Sequence, residues 1–107
     1  MNISEIEVVN NLENNQFEIR RNDLIARIPY SIKDDSIGLL QTHVPDEWRG
    51  KGLAKKLAEC ALNYAKENNL RVIPYCPFVA EYIEKHPEWL PYLHVKKNKG
   101  LNKKSKN

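Results

Sequence analysis

The hydrophobic residues of this chain change their spacing near residue 53, and this change limits the folds that it can adopt. Before that point, apolar and polar residues form four short strand-like segments separated by turn-forming residues. From Leu53 onward the apolar residues recur every three or four positions, which predicts an amphipathic helix of about four turns. The sequence therefore places a run of β-strands ahead of a helix.

The four strand-like segments are joined by short, turn-rich connections, so we expect them to form an antiparallel meander. The third segment, residues 24–32, contains Pro29. Proline has no N–H group to donate to a neighbouring strand, and it is therefore confined to edges and irregular positions. This strand is predicted either to lie at an edge of the sheet or to carry a bulge.

Two further elements are predicted after the helix. Residues 70–76 form a short apolar run, which indicates a buried strand, and residues 77–86 have helical spacing. Pro77 begins this second helix at the position where proline is favoured. The order β-β-β-β-α-β-α predicts an α/β (α+β) fold with a mixed, mostly antiparallel sheet, in which a helix links parallel strands near the end.

A lysine-rich tail accounts for the positive charge of the chain. The 107 residues carry a formal net charge of +3, but residues 96–107 contain six lysines and no acid. Without those lysines the net charge is −3. We expect one domain over residues 1–95 and a disordered basic tail over residues 96–107. The tail lacks interleaved aromatic residues, which disfavours nucleic acid as a partner.

The sequence shows neither a membrane span nor a secretory signal. No run of about 18 apolar residues occurs, and the first residues lack a basic segment followed by an apolar one. Cys60 and Cys76 are sixteen positions apart, a spacing that matches no zinc motif. These features predict a reduced, cytoplasmic protein with no bound metal.

The clearest chemical signal lies between the fourth strand and the first helix, where residues 49–54 read Arg-Gly-Lys-Gly-Leu-Ala. Gly50 and Gly52 allow a tight turn and close approach of a ligand. The free N–H groups and the dipole of the helix favour an anion there, and Arg49, Lys51 and, as a further candidate, Lys55 add positive charge. The segment predicts a phosphate or pyrophosphate site, the alternative being a glycine-rich turn that only starts the helix. It matches neither the P-loop nor the dinucleotide fingerprint.

Three motifs make this sequence similar to the GCN5-related N-acetyltransferases. Arg49-x-x-Gly52-x-Ala54 resembles their Q/R-x-x-G-x-G/A signature. Residues 42–45, which read Thr-His-Val-Pro, and residues 76–88, which begin Cys-Pro-Phe-Val, resemble a small single-domain branch of that superfamily. The resemblance extends over residues 16–93.

The resemblance implies an acetyl-CoA-dependent transfer of an acetyl group to an amine of unknown identity, either a small molecule or a protein lysine. It implies that the glycine-rich loop holds the pyrophosphate and that pantetheine lies between the strands ending at Val44 and Tyr75. The Val44 N–H group would then donate to the acetyl carbonyl. The cofactor-binding residues implied in this way are Val44, Arg49, Gly50, Lys51, Gly52, Leu53, Ala54, Cys76 and Phe78.

Cys76 and His43 are the candidate catalytic residues. Cys76 precedes a helix, whose dipole favours the thiolate. It either accepts the acetyl group, lines the site, or is simply a buried small side chain. His43 stands where the branch usually has Glu, and it is either a proton acceptor or a solvent-facing strand residue. This departure and the small size leave a non-catalytic CoA-binding module as the alternative function, and a monomer or a dimer remains open.

Overall fold

A computed structural model describes residues 6–94, which form a five-stranded sheet with two α-helices. The elements are β1 (Val9–Asn11), β2 (Gln16–Arg21), β3 (Leu24–Lys33), β4 (Ser36–Leu39), α1 (Leu53–Glu67), β5 (Arg71–Pro74) and α2 (Pro77–Lys85). Short 3₁₀ helices occur at Asp46–Trp48 and Pro87–Tyr92. This order confirms the predicted α/β fold. The tail predicted over residues 96–107 lies outside the described residues.

The strands lie in the sheet in the same order as in the sequence. The first four pair antiparallel, and each of the three turns between them contains an Asn or Asp with positive φ, at Asn15, Asn22 and Asp34. These residue types tolerate the left-handed conformation that such turns require. β5 pairs with β4 in parallel because α1 carries the chain back across the sheet.

One face of the sheet packs against α1 and forms the hydrophobic core. Cross-strand neighbours on this face are buried together, as with Phe17 and Ile28 and with Tyr30 and Leu39. The apolar stripe of α1 covers them, since its inward-facing residues belong to the same cluster. Removal of this apolar surface from water is the main contribution that holds the helix on the sheet. Within residues 6–94 the helices are too short or too polar to cross a membrane.

A β-bulge follows β4 and accommodates the proline of β3. The pairing changes from Tyr30 with Leu39 to Arg27 with His43, so the segment after β4 has one residue more than β3 between these pairs. The Pro29 carbonyl accepts a hydrogen bond from the Leu40 N–H group at 2.9 Å. The N–H group that proline lacks would have pointed to the bulge, where regular pairing is interrupted. β3 is an interior strand, so the edge alternative is wrong and the bulge alternative is confirmed.

β4 and β5 separate immediately after Leu39. The last backbone–backbone hydrogen bond between the two segments runs from the Cys76 N–H group to the Leu39 carbonyl, at 3.0 Å. Beyond it, Leu40 and His43 bond only to β3. The separation leaves a gap between residues 40–44 and the beginning of α2. We call this opening the strand gap.

Replacing Leu57 with alanine should lower the free energy of unfolding by about 2–5 kcal/mol, because this side chain is fully buried in α1. Glu67→Ala, on the exposed side of the same helix, is the control and should change it by less than about 0.5 kcal/mol. Urea unfolding followed by circular dichroism measures both. Equal losses in the two variants would show that α1 does not pack through this stripe.

Candidate functional site

The loop before α1 presents free backbone N–H groups. Gly50 and Gly52 have φ angles of +77° and +79°, in the left-handed region that other residues rarely adopt. Gly52 directly precedes the first helical residue, and no side chain caps the helix there. The N–H groups of the first turn have no acceptor within the helix. The loop therefore leaves a partially positive helix end open to a ligand.

This helix end opens into a cleft of about 580 Å³. Trp48 is buried at the cleft wall, and Arg49 and Lys55 place two cationic side chains near the helix end. The Nε atom of Arg49 lies 2.9 Å from Oδ1 of Asp46, and both side chains remain exposed. Apolar side chains continue the cleft towards the strand gap. The cleft thus suits a ligand with an anionic group at one end and an apolar chain at the other.

The cleft contains seven of the nine residues that the resemblance assigns to cofactor binding: Val44, Arg49, Gly50, Gly52, Leu53, Ala54 and Phe78. Lys51 belongs to the same loop but does not line the cleft, and Cys76 is buried behind Thr42. Thr42, Trp48 and Lys55 also line the cleft. The sequence predicts Lys55 as an added positive charge and leaves Trp48 either framing the acceptor opening or packing, and it gives no role to Thr42. Thr42 could have been predicted from the Thr-x-Val-Pro motif. Alternate residues of an extended segment share a face, so Thr42 lies on the same side as Val44.

Cys76 lies where β5 gives way to α2, at the edge of the strand gap. It is the residue before the first turn of α2, and Pro77 occupies the first helical position, as the sequence predicts. The side chain is only 2% exposed, and its Sγ atom lies 3.1 Å from Oγ1 of Thr42. Because Thr42 lines the cleft, the sulfur lies directly behind the cleft wall at the gap.

The surroundings of Cys76 lower the pKa of its thiol. Burial acts in the opposite direction, but it is outweighed by a hydrogen bond from the Thr42 hydroxyl and by the backbone N–H groups of Val79, Thr42 and Phe78. Phe78 and Val79 lie in the first turn of α2, where no side chain forms a regular capping hydrogen bond. Their N–H groups therefore stabilise the Cys76 thiolate mainly as the positive end of the helix. The pKa of Cys60 is instead raised, by burial and by the charge of Glu67.

The backbone at the bulge turns the N–H groups of Thr42 and Val44 towards the strand gap. The His43 N–H group bonds to Arg27 in β3, so those of its neighbours face the opposite way. The Thr42 N–H group is directed at the sulfur of Cys76. The Val44 N–H group has no backbone acceptor among residues 6–94. A carbonyl oxygen in the gap would therefore find a donor at Val44, the residue that the resemblance implies.

His43 is exposed and does not line the cleft. Its backbone pairs with Arg27 through two hydrogen bonds of 2.9 Å. Thr42 contacts the cleft, and the adjacent His43 projects from the other face of the sheet. A proton transferred to His43 would have to come from a molecule approaching from that face.

Known proteins have sequences similar to this one. The family model for GCN5-related N-acetyl-transferase matches residues 16–92. Protein NATD1 of Xenopus tropicalis is 30% identical over 87 residues, which span 78% of this chain and 80% of that protein. Protein NATD1 of Homo sapiens is 31% identical over 85 residues, which span 77% of this chain and 75% of that protein.

A solved structure also has a similar fold. It is the solution structure of a "GCN5-like putative N-acetyltransferase" from Staphylococcus aureus. It superimposes with a TM-score of 0.66 and 29% sequence identity, over 94% of this chain and 99% of that one. The similarity therefore extends over nearly the whole of both chains.

Replacing Thr42 with valine should raise the pKa of Cys76, since valine keeps the shape of the side chain and removes the hydroxyl that bonds to the sulfur. Thr42→Ser is the control, because serine retains a hydroxyl. The titration is followed through the ultraviolet absorbance of the thiolate, with Cys60 replaced by alanine in all proteins. An unchanged midpoint in Thr42→Val would contradict the role given to this hydrogen bond.

Proposed function

Because the chain belongs to the GCN5-related N-acetyltransferase family, we propose that the cleft binds acetyl-CoA and that the acetyl group passes to an amine through the strand gap. The family makes the protein an enzyme of acetyl transfer. The observation that supports this location is the open N-terminus of α1 at the end of an apolar cleft. The binding residues, the route and the acceptor are parts of the proposal.

The two ends of the cleft match the two ends of acetyl-CoA. The pyrophosphate would lie on the N–H groups of the first turn of α1, with Arg49 and Lys55 beside it. Pantetheine would extend past Val44 and Phe78 to the strand gap. The apolar walls favour this chain, and the backbone donor at Val44 would receive the acetyl carbonyl. Binding of this kind fixes the thioester next to Cys76.

The reactive group in this proposal is the thiolate of Cys76. It attacks the carbonyl carbon of acetyl-CoA, so that a carbon–sulfur bond to Cys76 forms and the bond to the CoA sulfur breaks. CoA leaves as its thiolate, and the Val44 N–H group stabilises the charge on the oxygen. The lowered pKa of Cys76 increases the thiolate fraction available for this attack.

The amine then completes the transfer from the opposite side of the gap. Its nitrogen attacks the acetylated Cys76, the carbon–nitrogen bond forms, and the bond to sulfur breaks to return the thiolate. The proton that the nitrogen loses goes to a base on the acceptor side, where we assign His43. This role is compatible with the position of His43, which is exposed on that face rather than in the cleft.

A second candidate is a CoA-binding module that catalyses no transfer. The observation in its favour is the composition of the cleft, where no carboxylate and no histidine stands among the lining residues of the described chain. Direct attack by the amine would then have no base at hand within the cleft. The two candidates differ in whether Cys76 becomes acetylated and whether an amine removes the acetyl group.

Incubation with acetyl-CoA should add one acetyl group to the protein, as measured by intact mass, and the adduct should be labile to hydroxylamine because it is a thioester. The adduct should be absent in Cys76→Ala and present in Cys60→Ala, which also removes one thiol but at a site where burial raises the pKa. A panel of primary amines should remove it with release of the acetylated amine. Binding of CoA without adduct or turnover would favour the binding module.

A further inference from the structure

The face of the sheet opposite α1 carries a row of polar side chains that acetyl-CoA binding does not use. Val9 pairs with Glu18, Glu18 with Arg27, and Arg27 with His43. Residues directly opposite one another in neighbouring strands project from the same face. Glu18, Arg27 and His43 therefore stand side by side on the face opposite α1, and His43 lies next to the strand gap.

The carboxylate in this row is already fully bonded. Glu18 is 5% exposed and accepts hydrogen bonds from Gln16 at 2.6 Å, from Arg20 at 2.9 Å and from Asn11 at 3.3 Å. Burial raises the pKa of Glu18, but these bonds together lower it, so the group is ionised near neutral pH. Its oxygens are engaged by Gln16, Asn11 and Arg20, and they do not pair with Arg27 across the strand.

Arg27 is held in place but has no ion-pair partner among residues 6–94. Its Nη1 atom lies 3.3 Å from Oε1 of Gln16, whose amide nitrogen is bonded to Glu18. The guanidinium has five N–H donors, and this bond uses one of them. The side chain is half-buried, where an unpaired charge is unfavourable. A planar guanidinium held in this way is suited to a carboxylate, which it can bind with two parallel hydrogen bonds.

An apolar strip connects Arg27 with the strand gap. Pro29 and Leu40 are joined by a backbone hydrogen bond and face the same side of the sheet as Arg27. Tyr75 is 64% exposed at the end of β5, and its ring lies across Gly38, where a Cβ atom would stand 2.8 Å from the ring. We name Arg27, Pro29, Leu40 and Tyr75 the acceptor strip. It begins at a cation and ends beside Cys76.

We propose that the acceptor strip binds the acetyl acceptor, and that this acceptor is a compact amine that also carries a carboxylate, which Arg27 holds. The amine would enter the strand gap from the face that carries His43, while acetyl-CoA occupies the cleft on the other side. β3 and β5 are separated by two strand spacings, or about 10 Å, which limits the distance between the carboxylate and the amine. This inference rests on the proposed acetyl transfer and specifies its substrate class.

The test compares two amines of equal chain length, ε-aminocaproate and n-hexylamine, of which only ε-aminocaproate carries a carboxylate. Binding is followed with CoA present, through the NMR signal of the Arg27 side-chain N–H group and backbone amides of the strip. ε-Aminocaproate should bind roughly tenfold more tightly or better, as expected for a charge-assisted hydrogen bond. Arg27→Met should remove this preference, and Arg27→Lys should keep part of it.

Arg21→Met is the matched control, because Arg21 is an exposed arginine at the end of β2. It should leave the preference for ε-aminocaproate unchanged, and neither arginine variant should alter the affinity for CoA. The same preference should appear in kcat/KM for acetylation of the two amines.

Two results separate this inference from the proposed function. The first is that CoA binds but the carboxylate has no effect: both amines bind or react equally well, neither amine binds, or Arg27→Met and Arg27→Lys keep the full preference. The inference is then wrong, and the proposed acetyl transfer is judged by its own test. If CoA does not bind in the cleft, the proposed function fails and the inference fails with it. A protein lysine that is acetylated faster than ε-aminocaproate would also overturn the substrate class.

Discussion

The site depends on one hydrogen bond, from the Cys76 N–H group to the Leu39 carbonyl, after which β4 and β5 part. Up to that bond the two strands pair regularly, and beyond it the bulge directs the chain towards β3 alone. The unpaired stretch leaves the Val44 N–H group without a backbone acceptor in the described part of the chain. The same separation places the beginning of α2, with the buried Cys76 before it, at the edge of the opening. An opening between adjacent strands is thus the structural basis of the proposed chemistry.

The two helix beginnings on either side of this opening have different roles because their first residues differ. α1 begins after Gly52, which has no side chain to cap the helix, and its N–H groups remain available to an anionic ligand. α2 begins after Cys76, whose sulfur lies near the corresponding N–H groups. The first arrangement suits binding of a pyrophosphate, and the second stabilises a thiolate. Both use the same positive end of a helix.

Much of the fold and the glycine-rich turn before α1 could be predicted from the sequence, because the change of hydrophobic period and the glycine spacing are local signals. The bulge was predicted only as an alternative for Pro29, since its position depends on which residues lie across the strand. The contact between Thr42 and Cys76 joins residues 34 positions apart and has no local signature. Arg27 was not predicted as a site residue, because a single arginine in a strand is usually solvated.

The proposed chemistry requires the cleft at the beginning of α1 to bind acetyl-CoA. The most direct measurement is a titration of the protein with acetyl-CoA, followed by the backbone amide signals in NMR. Saturable shifts are expected for Gly52, Leu53 and Ala54 at the helix end and for Val44 at the strand gap. Absence of shifts at these positions, or saturable shifts confined to other parts of the chain, would contradict binding in this cleft.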